Sequence, residues 1–149
     1  PTGFKMLKQD NLSATDQNIE DGPTPPIPDL VWIKNRTDGT ADEHQLYDST
    51  RGVTKDINLD TAAETTTNDG LQKFIAGGFE IEDDVSVNTA DENYISWNWV
   101  GGGGTTSANS DGSGASLAST IQANQTAGFS IVQYTGSGSN ATVTKQHIL

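Results

Sequence analysis

Tyr94-Ile95-Ser96-Trp97-Asn98-Trp99-Val100 is the stretch that decides the fold class, because it alternates along its whole length. Side chains of an extended strand point to opposite faces in turn, so Ile95, Trp97 and Trp99 share one face. Burying two tryptophans there would contribute strongly to stability. We therefore predict a half-buried strand whose tryptophan face lies in the core, since Ile95 continues the stripe. An exposed pair would instead form a platform on which sugars stack.

Other strand patterns lie on both sides of this stretch and are separated by Gly-, Asn- and Asp-rich turns. No segment has the pattern of an amphipathic helix. Seven or eight short strands with such turns predict an all-β protein with an antiparallel β-sandwich. The additional candidates are Leu30–Lys34, His44–Asp48, Leu71–Ile75, Phe79–Glu82, Leu117–Ala123, Phe129–Tyr134 and Ala141–Leu149.

Changes of composition divide the chain into four parts. Residues 1–28 are polar and end in a proline-rich run, which predicts an extended N-terminal arm. Residues 29–100 contain the dense strand patterns of the β-sandwich core. Residues 101–116 are a Gly/Ser/Thr-rich linker or loop. Residues 117–149 hold C-terminal strands that complete this sandwich or that of a neighbouring copy.

The charge balance excludes several classes of partner. The 149 residues include 20 acidic and 8 basic side chains, giving a net charge of −12. A nucleic-acid-binding protein needs a basic surface, and anionic membranes repel such a chain. No apolar run approaches the roughly 18 residues that span a bilayer, so we predict no membrane insertion. The chain opens at Pro1 without an initiator methionine, which is typical of a processed protein or a piece of a longer one.

Catalytic chemistry has little support in the sequence. Cysteine is absent, no Gly-x-Ser-x-Gly motif occurs, and only His44 and His147 could act as imidazole bases. His44 follows two acidic residues and is typical of a surface histidine on a strand. Glu80 and Glu82 share a strand face, which is typical of a solvated outer face rather than a glycosidase pair. We predict no catalytic residue and no enzymatic activity.

Two oxygen-rich segments make calcium the one cofactor to be considered. Glu82-Asp83-Asp84 and Asn109-Ser110-Asp111-Gly112 offer hard ligands, but neither follows the twelve-residue loop with a closing glutamate. Turn formation accounts for both segments, so no metal ligand and no bound cofactor are predicted. Gly101–Gly104 lacks the Lys-Ser/Thr of a phosphate-binding loop and is interpreted as a linker.

Six phrases follow one another along the chain in a fixed order. They are Pro1–Lys5 with Leu7 and Asn11-Leu12, Pro28–Arg36 (PDLVWIKNR), His44–Gly52, Gly78-Phe79, Asn93–Trp99 and Thr126–Gly136. Together they resemble a module repeated in structural and fibre-like proteins of marine tailed phages, especially those infecting cyanobacteria, with Thr126–Gly136 resembling the start of a following copy. The resemblance covers most of the chain and carries no catalytic motif. It implies a lectin-like β-sandwich, of the jelly-roll or concanavalin type, on the surface of a virion.

Two functions are compatible with this resemblance. The first is a non-enzymatic virion protein, a capsid decoration or a tail- or head-fibre segment that assembles with other virion proteins and with copies of itself. A trimer is expected if it forms a fibre. The second is a carbohydrate- or receptor-binding module for host attachment, with Trp32, Trp97 and Trp99 as contacts. Both place the chain at the virion surface or outside the cell.

One departure from the phage pattern suggests how the chain assembles. In that family an opening strand of the type F-x-x-V-x-Y-T-G precedes the PDLVWIK phrase, whereas here a proline run stands before it. A matching strand occurs later, at Phe129–Gly136. We hypothesise that Phe129, Ile131 and Tyr134 belong to a strand that fills the open slot, in its own domain or in a neighbouring subunit. Either pairing would cover an exposed sheet edge.

Overall fold

A computed structural model describes residues 4–10, 17–18, 26–37, 42–59, 61, 63–101, 106–107, 117–124 and 126–143. These residues form twelve strands and one short helix. The strands are β1 (Phe4–Asp10), β2 (Gln17–Asn18), β3 (Leu30–Asn35), β4 (Gln45–Asp48), β5 (Lys55–Asn58), β6 (Glu64–Thr66), β7 (Leu71–Ile75), β8 (Gly78–Ile81), β9 (Asn93–Trp99), β10 (Thr106–Ser107), β11 (Ser119–Asn124) and β12 (Phe129–Tyr134), and the helix is α1 (Val85–Asn88). The prediction of an all-β, antiparallel fold is confirmed.

A six-stranded sheet in the order β1-β9-β3-β4-β5-β6 forms the larger layer. All of its neighbouring strands are antiparallel. At its centre Trp32 of β3 lies opposite Trp97 of β9 on one side and Leu46 of β4 on the other. The next residue, Ile33, lies opposite Ser96 and Gln45 and therefore faces the other way.

The core lies between this sheet and a three-stranded sheet in the order β2-β8-β7. Alternate residues of the strands face the interior because of the period-2 geometry of extended chain. The smaller sheet contributes its fully buried side chains from β7 and β8, and α1 contributes one more. The buried core consists of Val31, Ile33, Tyr47, Leu71, Phe79, Ile81, Val87 and Tyr94.

A tight turn ends β4 and fixes the register of the following hairpin. The Asp48 carboxylate accepts hydrogen bonds from the backbone N–H groups of Thr50 and Arg51, at 3.0 and 2.9 Å. The Arg51 guanidinium pairs with the same carboxylate at 2.5 Å and donates to the Leu46 carbonyl at 3.0 Å. Gly52 follows with φ of +109°, a conformation that favours glycine.

The C-terminal strands form a third sheet in the order β10-β11-β12. All six residues of β12 pair with β11, from Phe129 opposite Asn124 to Tyr134 opposite Ser119. Within the chain, β12 therefore does not pair with β3, whose two neighbours are β9 and β4. Its exchange into a neighbouring subunit stays a prediction.

Several elements differ from the sequence expectation. Residues 4–10 and 17–18, within the predicted arm, are strands that pair with β9 and β8. The polar stretch 53–70 contains β5 and β6, which the sequence pattern did not indicate. Residues 141–143 of the predicted last strand have no regular structure, and residues 144–149 lie outside the described part. The strands β3, β4, β7, β8, β9, β11 and β12 were predicted, with shifts of one or two residues at several ends.

Candidate functional site

The outer face of the six-stranded sheet carries the aromatic residues that the sequence singled out. Trp32, Trp97 and Trp99 lie on this face together with Leu46, and all four are half-buried. We call the surface of Trp32, His44, Leu46, Trp97 and Trp99 the tryptophan face. It contains all three tryptophans of the chain.

The prediction that Trp97 and Trp99 point into the core is wrong. Residues of β9 alternate in burial, and the buried ones are Tyr94, Ser96 and Asn98. Alternation along a strand places side chains on two faces but does not determine which face is buried. Here the choice is made by the neighbouring strand β3, whose Val31 and Ile33 belong to the core.

Trp32 is held in place by contacts on both sides. Its ring centre lies 4.9 Å from that of Trp97 with an interplanar angle of 42°. Its indole N–H donates to Nδ1 of His44 at 2.9 Å, and the two ring centres are 5.4 Å apart. Because Nδ1 accepts this bond, a neutral His44 carries its proton on Nε2. His44, expected as a surface histidine, is half-buried and orients an aromatic ring.

Trp99 has a different role from the other two tryptophans. Its ring stacks on Phe129 of β12, with ring centres 6.1 Å apart and an interplanar angle of 19°. Such aromatic pairs contribute about 0.5–1.5 kcal/mol to stability in addition to the contribution of the apolar area that they bury. Asn124 adds a second contact, donating its side-chain amide to the Val100 carbonyl at 3.0 Å. The C-terminal sheet is therefore docked on the end of β9.

A buried polar cluster joins the same sheet to the sandwich. The Asp29 carboxylate accepts from the Ser49 hydroxyl at 2.8 Å and from the Gly101 backbone N–H at 2.6 Å. Gln122 of β11 donates its amide to the Ser49 hydroxyl at 2.6 Å. A Cβ at Gly101 would lie 2.7 Å from Gln122 Oε1, so only glycine fits there without a shift. We call these four residues the Asp29 joint, which no local sequence pattern indicates because its members lie far apart along the chain.

Two buried tyrosines have altered acidity. Burial raises the pKa of Tyr47 well above its ordinary value, and the nearby carboxylates of Asp56 and Asp84 raise it further. Burial also raises the pKa of Tyr94, whose hydroxyl accepts from the Thr89 N–H at 3.0 Å and donates to the Val85 carbonyl at 2.9 Å. Both hydroxyls are neutral parts of the core and its cap.

The oxygen-rich segment considered for calcium serves local structure. Asp84 caps α1 by accepting from the Ser86 backbone N–H at 2.8 Å. Asn88 donates to the Glu82 carbonyl at 2.8 Å, and Asp83 is exposed. No group of three or more His, Cys, Asp or Glu in the described ranges could hold a metal ion. Residues 109–112 and His147 lie outside those ranges.

A second acidic contact surrounds a buried amide. The side-chain nitrogen of Asn35 contacts the carboxylates of Asp42, at 2.5 Å, and of Glu92. The Asn35 oxygen accepts from the Thr37 backbone N–H at 2.9 Å. These bonds connect the end of β3 to the loops before β4 and β9, and they satisfy a buried polar group. Glu80, considered as a glycosidase carboxylate, is half-buried on β8, and so is Glu82 just after that strand.

Comparison with known proteins gives one match. A family model described as a domain of unknown function (DUF7483) matches residues 13–147. No curated protein and no solved structure matches the chain significantly. Within the described residues, no helix is long and apolar enough to cross a membrane. Because the family model covers most of its length, the chain belongs to the DUF7483 family.

Proposed function

We propose that the chain is a non-enzymatic structural protein of a tailed-phage virion, a capsid decoration or a tail- or head-fibre segment. It acts by assembling with other virion proteins and copies of itself, and by displaying its surface outside the cell. The proposal begins from the resemblance of ordered phrases to marine-phage structural proteins.

The observation that carries the proposal is where these phrases lie in the fold. Pro28–Arg36 contains β3, His44–Gly52 contains β4 with its Arg51 turn, and Asn93–Trp99 is β9. These strands are adjacent at the centre of the six-stranded sheet. The resemblance thus falls on the scaffold, as expected for a module that is retained for its shape.

The test is to locate the chain on particles of the phage that encodes it. Antibodies raised against the purified chain are applied to intact virions, and labelling is followed by immunogold electron microscopy. We expect gold at one defined part of the particle surface. A virion preparation in which mass spectrometry finds no peptide of this chain would refute the proposal.

A second function, glycan binding for host attachment, is favoured by the position of the tryptophans. Trp32 and Trp97 lie side by side on an outer face, as in sites where sugar rings stack on aromatic surfaces. Because Trp32, Trp97 and Trp99 are the only tryptophans, intrinsic fluorescence reports on this face alone. We expect host-surface glycans to quench that fluorescence saturably, and Trp32→Ala to weaken the effect.

The matched control for this experiment is Tyr134→Ala. Tyr134 is an aromatic residue that is 54% exposed and lies on the C-terminal sheet, at the opposite end of β12 from Phe129. Its removal should leave glycan quenching unchanged. Equal loss in both variants, or no saturable quenching by any host glycan, would rule out the tryptophan face as the binding site.

A further inference from the structure

Sheet edges are the places where one protein can add a strand to another, and most edges here are protected. In the described part of the chain the edge strands are β1, β6, β2, β7, β10 and β12. β2 and β10 have only two residues each. β6 has three residues and includes Glu64, which lies 3.4 Å from Arg51. Short length and charge both discourage strand addition.

The remaining two protected edges use charge or irregularity. β1 contains Lys5, Lys8 and Asp10 in its seven residues. β7 carries the exposed Lys73, and its pairing with β8 is irregular between Leu71 and Lys73. A bulge and a lysine are both recognised ways in which natural proteins block an edge.

β12 has none of these protections. Its six residues, FSIVQY, include no charged residue, proline or glycine, and all six pair regularly with β11. In the described part of the chain no strand pairs with its other side. Gln133 and Tyr134 are exposed, and the first four residues are half-buried. A regular, uncharged and unpaired edge of this length is a template for another strand.

The charge distribution indicates which partner meets this edge. All 20 acidic residues lie at or before Asp111, and residues 112–144 contain no Asp, Glu, Lys, Arg or His. Two copies with a charge of −12 each repel one another over the sandwich but not at this neutral end. A basic partner would be attracted to the acidic sandwich instead.

We propose that β12 pairs antiparallel with β12 of a second copy, forming a two-fold symmetric dimer. The pairing joins two three-stranded sheets into one continuous sheet of six strands. The free backbone N–H and C=O groups of each β12 edge form hydrogen bonds with those of the other copy. The inference deepens the assembly role but does not rest on a virion location, because it follows from the edge and the charge alone.

Sedimentation of the purified chain over a range of concentrations tests the proposal. We expect a monomer–dimer equilibrium, and we expect Gln133→Glu to weaken dimerisation about fivefold or more by adding two like charges at the paired edges. Thr66→Glu is the matched control, because it makes the same charge change on the exposed β6 edge. Circular dichroism of both variants verifies that the strands are retained.

Spin labels provide a second readout that does not depend on a destabilising substitution. The chain has no cysteine, so Gln133→Cys and Thr66→Cys each give a single label site. Paired β12 strands lie about 4.8 Å apart, and six residues span about 20 Å, so the two labels at 133 should lie within roughly 25 Å in any register. Labels at 66 should be farther apart.

Three results would overturn the proposal. The chain could remain monomeric at all concentrations, or Gln133→Glu and Thr66→Glu could affect the dimer equally. A dimer with long distances between the labels at 133 would show that β12 pairs elsewhere, for example with a sandwich strand of the neighbour. None of these results bears on whether the chain is found in virions, so the two proposals fail separately.

Discussion

Replacing Asp29 by alanine should loosen the attachment of the C-terminal sheet to the sandwich and destabilise the whole chain. Asp29 is only 6% exposed, and its carboxylate accepts from the Ser49 hydroxyl and the Gly101 N–H. A hydrogen bond to a charged group contributes about 1.5–3 kcal/mol, and removing the carboxylate leaves the buried Gly101 N–H without its acceptor. We expect Asp29→Ala to lower the free energy of unfolding by about 3–5 kcal/mol.

Asp29→Asn keeps the shape of the side chain but changes its hydrogen bonding. The amide keeps one acceptor oxygen, but its NH₂ group then faces a donor, either the Gly101 N–H or the Ser49 hydroxyl. The Ser49 hydroxyl can turn to donate elsewhere, whereas the Gly101 N–H cannot. We therefore expect a loss of about 1–3 kcal/mol, between the wild type and the alanine variant.

The assay is urea unfolding followed by circular dichroism and by tryptophan fluorescence. Asp83→Ala is the matched control, since it makes the same chemical change at an exposed position, and it should alter stability by less than about 0.5 kcal/mol. A double-mutant cycle with Ser49→Ala measures the Asp29–Ser49 coupling. If Asp29→Ala and Asp83→Ala unfold at the same urea concentration, the joint does not hold the sheet and this reasoning fails.

Three further predictions concern single contacts. Burial raises the pKa of Tyr47 in the folded chain. The stability that the neutral hydroxyl contributes is complete below the unfolded-state pKa of about 10 and is lost as the pH rises above that value. The free energy of unfolding measured from about pH 8 to about pH 11 should therefore decrease less steeply with pH in Tyr47→Phe than in the wild type. His44→Ala removes the acceptor of the Trp32 indole N–H and should cost about 1–2 kcal/mol in urea unfolding, whereas His44→Gln, which offers an acceptor, should cost less. Phe129→Ala should lower stability by about 1–3 kcal/mol and make Trp99 more accessible to acrylamide quenching; unchanged quenching would contradict the stack.

The strands with apolar alternation were predictable, and the polar ones were not. β3, β9 and β12 each have a run of β-branched and aromatic residues bounded by turns. β5 reads Lys-Asp-Ile-Asn, yet Asp56 and Asn58 are the residues that face inward. Asp56 can be buried because Thr65 and Thr67 donate to its carboxylate at 2.5 and 3.3 Å. Such compensation depends on a strand nine residues away and leaves no local pattern.

In the candidate site, too, the local sequence pattern predicted the features within one strand but not those that depend on residues distant in sequence. The sequence pattern placed Trp97 and Trp99 on one face of one strand, and that grouping is correct. Their outward direction depends on Val31 and Ile33 of β3, which the pattern of β9 does not contain. The Asp29 joint depends on contacts between residues 20, 72 and 73 positions apart in sequence. Only the assembled sheets bring those side chains together.

The proposed dimer and the proposed glycan site use different surfaces, which makes them separable in one set of variants. The Trp99–Phe129 stack and the Asp29 joint dock the C-terminal sheet at two places, so its β12 edge is held on the sandwich. Trp32→Ala should then weaken glycan quenching while leaving the sedimentation of the dimer unchanged, and Gln133→Glu should do the reverse. Asp29→Ala should weaken dimerisation as well as stability, because it frees the sheet that presents β12. If Asp29→Ala lowers stability but leaves the dimerisation constant unchanged, the β11–β12 hairpin pairs independently of its attachment to the sandwich, and the Asp29 joint contributes to stability alone.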